Sequence, residues 1–188
     1  MGKLRKFGRL SDMVIRQNPK NIVQNGNFVN TDGWTPAGAT LSVLNNKAII
    51  TASGTTRYPQ LYQNLLGIIG DKIYIRAKVK VTNSVAQAIT ITCYGTNLVF
   101  QSTPAQDVVY TLLGIRTTVS ASESLSIFAT YPDTTTANGK IFEVQEAFAV
   151  NLSTFFGVGN EPTVAQCNQL YPFFFDGIKP SSLSKFLS

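Results

Sequence analysis

Lys72-Ile73-Tyr74-Ile75-Arg76-Ala77-Lys78-Val79-Lys80-Val81 decides the architecture. Ile73, Ile75, Ala77, Val79 and Val81 fall on one side of an extended chain; Lys72, Tyr74, Arg76, Lys78 and Lys80 fall on the other. Successive side chains of a strand point to opposite faces, so this alternation describes a strand with one buried face and one wet face. Similar runs occupy Ala39–Leu44, Lys47–Ala52, Gln87–Tyr94, Val108–Leu113, Ser124–Tyr131 and Ile141–Leu152. Threonine and other β-branched residues fill them, as a pleated surface favours. Turn formers separate them: Asn25-Gly26-Asn27, Thr31-Asp32-Gly33, Asn45-Asn46, Gly70-Asp71, Pro132-Asp133 and the Asn138-Gly139 pair, a strong hairpin signal. Many short strands with no long helical stretch predict an all-β antiparallel sandwich or barrel. One short C-terminal helix is expected, capped at Asn160, opened by Pro162 and stopped by Pro172.

Composition narrows the chemistry. The 188 residues include 16 Lys and Arg against 10 Asp and Glu, a net charge of +6, and no histidine. Ser-His-Asp and Cys-His constellations and His-ligated metal sites are thereby excluded for this chain. Cys93 and Cys167 are too few for a disulfide framework or a thiolate zinc site. The charge is unevenly placed. Lys3, Arg5, Lys6, Arg9, Arg16 and Lys20 face only Asp12 within residues 1–20, whereas the rest is nearly neutral. Residues 1–20 thus read as a basic arm that attaches to another chain. No apolar run is long enough to span a bilayer, so membrane insertion is not expected, and neither is nucleic-acid binding.

The segment Asn151-Leu152-Ser153-Thr154-Phe155-Phe156-Gly157-Val158-Gly159-Asn160-Glu161-Pro162-Thr163 resembles the "LTxxFGxGNEPT" signature. That signature closes carbohydrate-binding-like jelly-roll modules in bacteriophage tail, baseplate and fibre proteins. Asn25-Gly26-Asn27-Phe28 with Gly33-Trp34 is similar to their opening "NGxF…GW", Gly70–Tyr74 to their central strand, and Cys167 and Phe175-Asp176-Gly177 to their trailing residues. The resemblance spans roughly Asn21 to Gly177. It implies a galactose-binding-like jelly roll at 21–177 between an attachment arm (1–20) and a C-terminal tail (178–188). It further implies a bacteriophage virion protein, assembled in the host cytoplasm and homo-oligomeric. Lys3, Arg5, Lys6, Arg9 and Arg16 would hold other virion proteins, and the domain would contact host surface glycans. The alternative is a purely structural head-decoration, head-fibre, neck or baseplate component without glycan binding.

Neutral glycans need rings to stack on and amides or hydroxyls to bond. Tyr58, Gln60 and Tyr62 share one side of Thr56–Gln63, where Pro59 suggests a sheet edge. Tyr94, Tyr131 and Trp34 are further ring candidates; the resemblance places Trp34 in the framework, as a plug at the sandwich end. The Lys72, Arg76, Lys78 and Lys80 stripe reads as a solvated face. Asp133, Glu143 and Glu146 do not make a convincing glycosidase pair, so no enzyme is expected. Glu146 falls on the apolar side with Phe142, Val144 and Phe148. An inward carboxylate needs a partner, a bulge or an ion. It is therefore a candidate ligand for a structural calcium, with carbonyls of the Asn25–Phe28 turn; no other cofactor is expected.

Overall fold

The computed structural model describes residues 19–83, 86–93 and 96–177. The alternating runs form β2 (Ala39–Leu44), β3 (Lys47–Ala52), β5 (Lys72–Val81), β6 (Ala88–Cys93), β8 (Val109–Thr117), β9 (Ser122–Thr130) and β10 (Ile141–Asn151). Three further strands, β1 (Thr35–Ala37), β4 (Gln60–Leu66) and β7 (Thr96–Ser102), complete two five-stranded sheets. The first sheet has the order β1-β4-β9-β6-β7 and the second β2-β3-β10-β5-β8, and every pairing is antiparallel. The fold is an antiparallel β-sandwich of jelly-roll type. Ile50, Leu61, Leu65, Ile73, Ile89, Ile91, Ile127 and Phe142 fill the space between the sheets. No helix among the described residues is long and apolar enough to cross a membrane.

Four local expectations need correction. The outward face of β5 is wet only in part. Tyr74 is fully buried and Arg76 is 8% exposed, because they lie beneath a second apolar cluster with Phe148, Val150, Leu152, Cys167, Tyr171 and Phe175. Next, Pro59 does not mark an edge: β4 pairs with β9 along its length and with β1 at Gln60–Tyr62. Pro59 stands just ahead of the strand, where its missing N–H breaks no ladder bond.

Asn138-Gly139 is not a hairpin turn either, since β9 and β10 belong to different sheets. Asp133 accepts from Thr136 N (2.6 Å) and caps a one-turn helix, α1 (Thr134–Ala137). Gly139, at φ +70°, then turns the chain into the other sheet. Finally, the late helix runs through Val164–Leu170 and ends before Pro172 as expected, but its cap is Thr163 and not Asn160. It is α3 (Val164–Leu170), preceded by the one-turn α2 (Leu152–Phe156). Thr163 and Gln166 form a capping box there, satisfying two backbone donors reciprocally.

The β10 ladder slips between Gln145 and Phe148, and Glu146 adopts φ +52°. This bulge inserts one residue and reverses the parity of the side chains around it. Gly26 is the reason it fits: Ala147 N donates to Gly26 O (3.0 Å), and a Cβ at Gly26 would lie 1.8 Å from Ala147 O. Phe28, from the same turn, is fully buried against Trp34, with ring centroids 5.3 Å apart. The opening motif is thus a plug docked on the bulge.

Candidate functional site

The two outer faces differ in chemistry. On the second sheet, Glu143 pairs with Lys47 (3.3 Å) and Lys80 (2.9 Å), and Glu146 with Lys78 (2.7 Å). Burial pushes Glu143 up, but the two ammonium groups outweigh it and hold the carboxyl below its ordinary range. Arg76 donates to the Tyr171 and Pro172 carbonyls (2.8 and 3.1 Å), and Lys72 pairs with Glu161 (3.3 Å). The cationic stripe read from β5 is therefore engaged within the protein.

Across the five strands of the first sheet, the one charged residue is Glu123. Its outer face carries Ser, Thr, Asn, Gln and aromatic residues. The register aligns Gln60, Phe128, Thr90 and Phe100 in one row across β4, β9, β6 and β7. Four strands spaced about 4.8 Å apart make that row about 14 Å long. Around it lies an open groove of about 550 Å³, lined also by Tyr58, Ala88, Thr92, Asn97 and Thr130.

Thr90 and Thr92 form its buried floor. Phe100 (62% exposed) rises on the β7 side and Tyr58 (40% exposed) on the β4 side. Tyr58 meets Phe128 edge to face, with centroids 6.2 Å apart and planes at 89°. The Tyr131 N–H to Arg57 O and Ala129 N–H to Pro59 O bonds fix the segment that carries Tyr58 beside β9. Rings at both sides, with amides and hydroxyls between them, can pack against apolar C–H faces while bonding hydroxyl groups.

Tyr58 and Gln60 are thus brought together in the groove. Tyr62 occupies the same outer face one row away, opposite Ser126, and does not line it. Trp34 and Tyr131 are withdrawn as stacking residues. Trp34 is 5% exposed and donates Nε1–H to Asn25 O (3.2 Å), and Tyr131 lies wholly in the core. Tyr94 and Lys3, Arg5, Lys6, Arg9 and Arg16 lie outside the described residues. Glu146 is corrected too: the bulge turns it out to Lys78, so it has no need of an ion. Nor do the turn carbonyls fit calcium, since Asn25 O already accepts from Phe28 N and Trp34 Nε1, and Gly26 O from Ala147 N.

Phe128, Thr90, Thr92, Asn97 and Phe100 were missed. Alternation does turn Thr90 and Thr92 away from Ile89, Ile91 and Cys93, and sets Phe128 opposite Ile127. Phe100 gave no such signal, because Leu98-Val99-Phe100 hides the period.

The closing motif belongs to a different network. Glu161 accepts from Ser153 Oγ (2.7 Å), Gly159 N (2.9 Å) and Lys72 Nζ (3.3 Å), and its side chain is 2% exposed. The Ser153 hydrogen bond chiefly, with Lys72 and backbone N–H groups, overcomes burial and brings its pKa down to about 2. Ser153 Oγ also accepts from Lys72 N (2.9 Å), and Asn151 Nδ2 donates to Asp71 (2.5 Å). The motif therefore ties the end of β10 to the start of β5.

No family model matches the chain, and no curated protein matches it in sequence. Solved structures do match. A structure described as CBM4 aligns at TM-score 0.51 and 18% identity, covering 69% of this chain and 99% of that one. The xylanase 10B CBM22-1–GH10 modules of Clostridium thermocellum, complexed with xylohexaose, align at 0.55 and 12% identity, over 70% of this chain and 28% of theirs. An arabinose-bound GH51 α-L-arabinofuranosidase aligns at 0.56 and 13%, over 81% of this chain and 30% of its own. At these identities the likeness is one of fold. The chain has the jelly-roll fold also found in carbohydrate-binding modules.

Proposed function

We propose that this protein binds glycans in the groove across β4, β9, β6 and β7, without cleaving them. The observation that carries the reading is the in-register row Gln60–Phe128–Thr90–Phe100 on a face whose lining is uncharged. The likeness in fold supports the sugar-binding part of it, since one neighbour is described as CBM4 and another as CBM22-1–GH10 modules complexed with xylohexaose. Binding without chemistry is supported by the placement of the carboxylates: among the described residues none lines the groove, and Glu143 and Glu146 are ion-paired on the opposite sheet. The test is an array of bacterial surface glycans. Phe100→Ala and Tyr58→Ala should each lower affinity more than about tenfold, as truncated binding hot spots do. Their melting temperatures should stay near that of the parent, because both rings are exposed. Undiminished binding by both variants would sink the reading.

We further propose that the glycan-binding body is residues 21–177 of a bacteriophage virion protein, carried on the particle by residues 1–20. The resemblance of Asn151–Thr163 to the phage signature and the concentration of charge in the arm support this. Deleting residues 1–20 should abolish incorporation into particles and spare glycan binding; normal incorporation would refute the attachment role. A structural decoration role is favoured by one feature, an exposed apolar cluster of Leu66, Ile68, Ile69 and Val119 at one end of the sandwich. In that case the body would bind virion proteins and no glycan.

A further inference from the structure

Among the described residues the groove's lining carries no charge, but a cation, Arg57, stands at its rim. Arg57 packs over the Tyr58 ring with Cζ 4.6 Å from the centroid, and Tyr58 lines the groove. Arg57 is exposed, and among the described residues its guanidinium makes no ion pair or hydrogen bond. The β5 cations are different: Lys72, Lys78 and Lys80 are held by Glu161, Glu146 and Glu143, and Arg76 by two carbonyls. Stacking on an aromatic ring restrains the planar fork while leaving its in-plane N–H groups available. Such a fork pairs with an oxyanion through two parallel, charge-assisted hydrogen bonds, and little rotamer freedom remains to be lost on binding. A neutral sugar hydroxyl can accept from one of these N–H groups, but it offers neither the opposite charge nor the paired acceptors of an oxyanion. Among the described residues no carboxylate lines the groove to repel an anion.

We propose that Arg57 makes this groove selective for glycans bearing an oxyanion substituent, a carboxylate, sulfate or phosphate ester, on the sugar unit beside Tyr58. The inference rests on the glycan-binding reading above.

The 188-residue parent, Arg57→Gln and Phe100→Ala are compared on an array carrying neutral, uronate-containing, sulfated and phosphorylated glycans in separate sets. The parent should bind charged members, and the set that responds identifies the oxyanion. Arg57→Gln should lose about tenfold or more in affinity for them, as expected for a charge-assisted hydrogen bond. Raising the salt concentration should weaken the parent more than Arg57→Gln. Phe100-dependent binding that shows no preference for the charged sets, or that Arg57→Gln leaves unchanged on them, overturns the role of Arg57 and leaves the groove reading intact. Absence of any Phe100-dependent binding overturns both. Because Arg57 is exposed, an unchanged melting temperature for Arg57→Gln separates loss of contact from loss of fold.

Discussion

Glu161 shows how much of a motif can be framework. Its carboxylate gathers Ser153, Gly159 and Lys72, and its ionised form is favoured so strongly that its pKa falls from about 4.5 to about 2. A carboxyl depressed in the folded state stabilises the protein above its ordinary pKa, and that contribution disappears as pH falls through the folded value. The parent should therefore lose thermal stability between about pH 4.5 and pH 2. Glu161→Gln should be destabilised at pH 7 by about 1–3 kcal/mol, the cost of unpaired buried donors. Its melting temperature should vary less than the parent's across that acid range, which calorimetry at several pH values checks. Trp34 and Tyr131 make the same point from the other side. Both are rings of the type a sugar site uses, and both are buried. Residue type alone does not tell a stacking ring from a core ring; only the face on which it lands does.

At the level of elements, alternation was a reliable guide wherever one face met the core. β2, β3 and β5 begin and end where the sequence pattern does. It failed where a tertiary contact changed the meaning of a face. Tyr74 and Arg76 share the outward side of β5 with three lysines, yet the Tyr171–Phe175 segment covers them. Arg76 fastens that segment through the Tyr171 and Pro172 carbonyls and lies 5.8 Å from the Phe148 ring centroid. Arg76→Met keeps the apolar stem and removes both hydrogen bonds. It should cost about 2–3 kcal/mol in urea unfolding and speed proteolytic cleavage within 171–177. A cleavage rate equal to the parent's would show that the ring contacts alone hold the segment. The bulge at Glu146 was hidden for a related reason: nothing in Val144-Gln145-Glu146-Ala147 signals that Gly26, some 120 residues earlier, will dock against Ala147.

For the whole molecule, sequence reasoning reached the sandwich but only part of the groove. Tyr58 and Gln60 were legible because they sit in one local run, whereas Phe128, Thr90 and Phe100 come from strands that meet through a non-sequential order. Alternation says which side a residue takes; it does not say which strand will stand beside it. The same topology leaves one sheet with Glu143 and Glu146 paired to its lysines and the other with a groove whose described lining is uncharged. It also brings the described ends together. Asn21 N donates to Gly177 O (2.7 Å), and the buried Asn21 side chain accepts from Val23 N and Ala149 N, so both ends of the body leave beside β10, on the sheet away from the groove. Chain continuity can then be rewired. A short glycine linker from Gly177 back to residue 19, with new ends opened at the exposed Gly139 turn, should give a circular permutant whose circular dichroism and cooperative melting match those of the parent body.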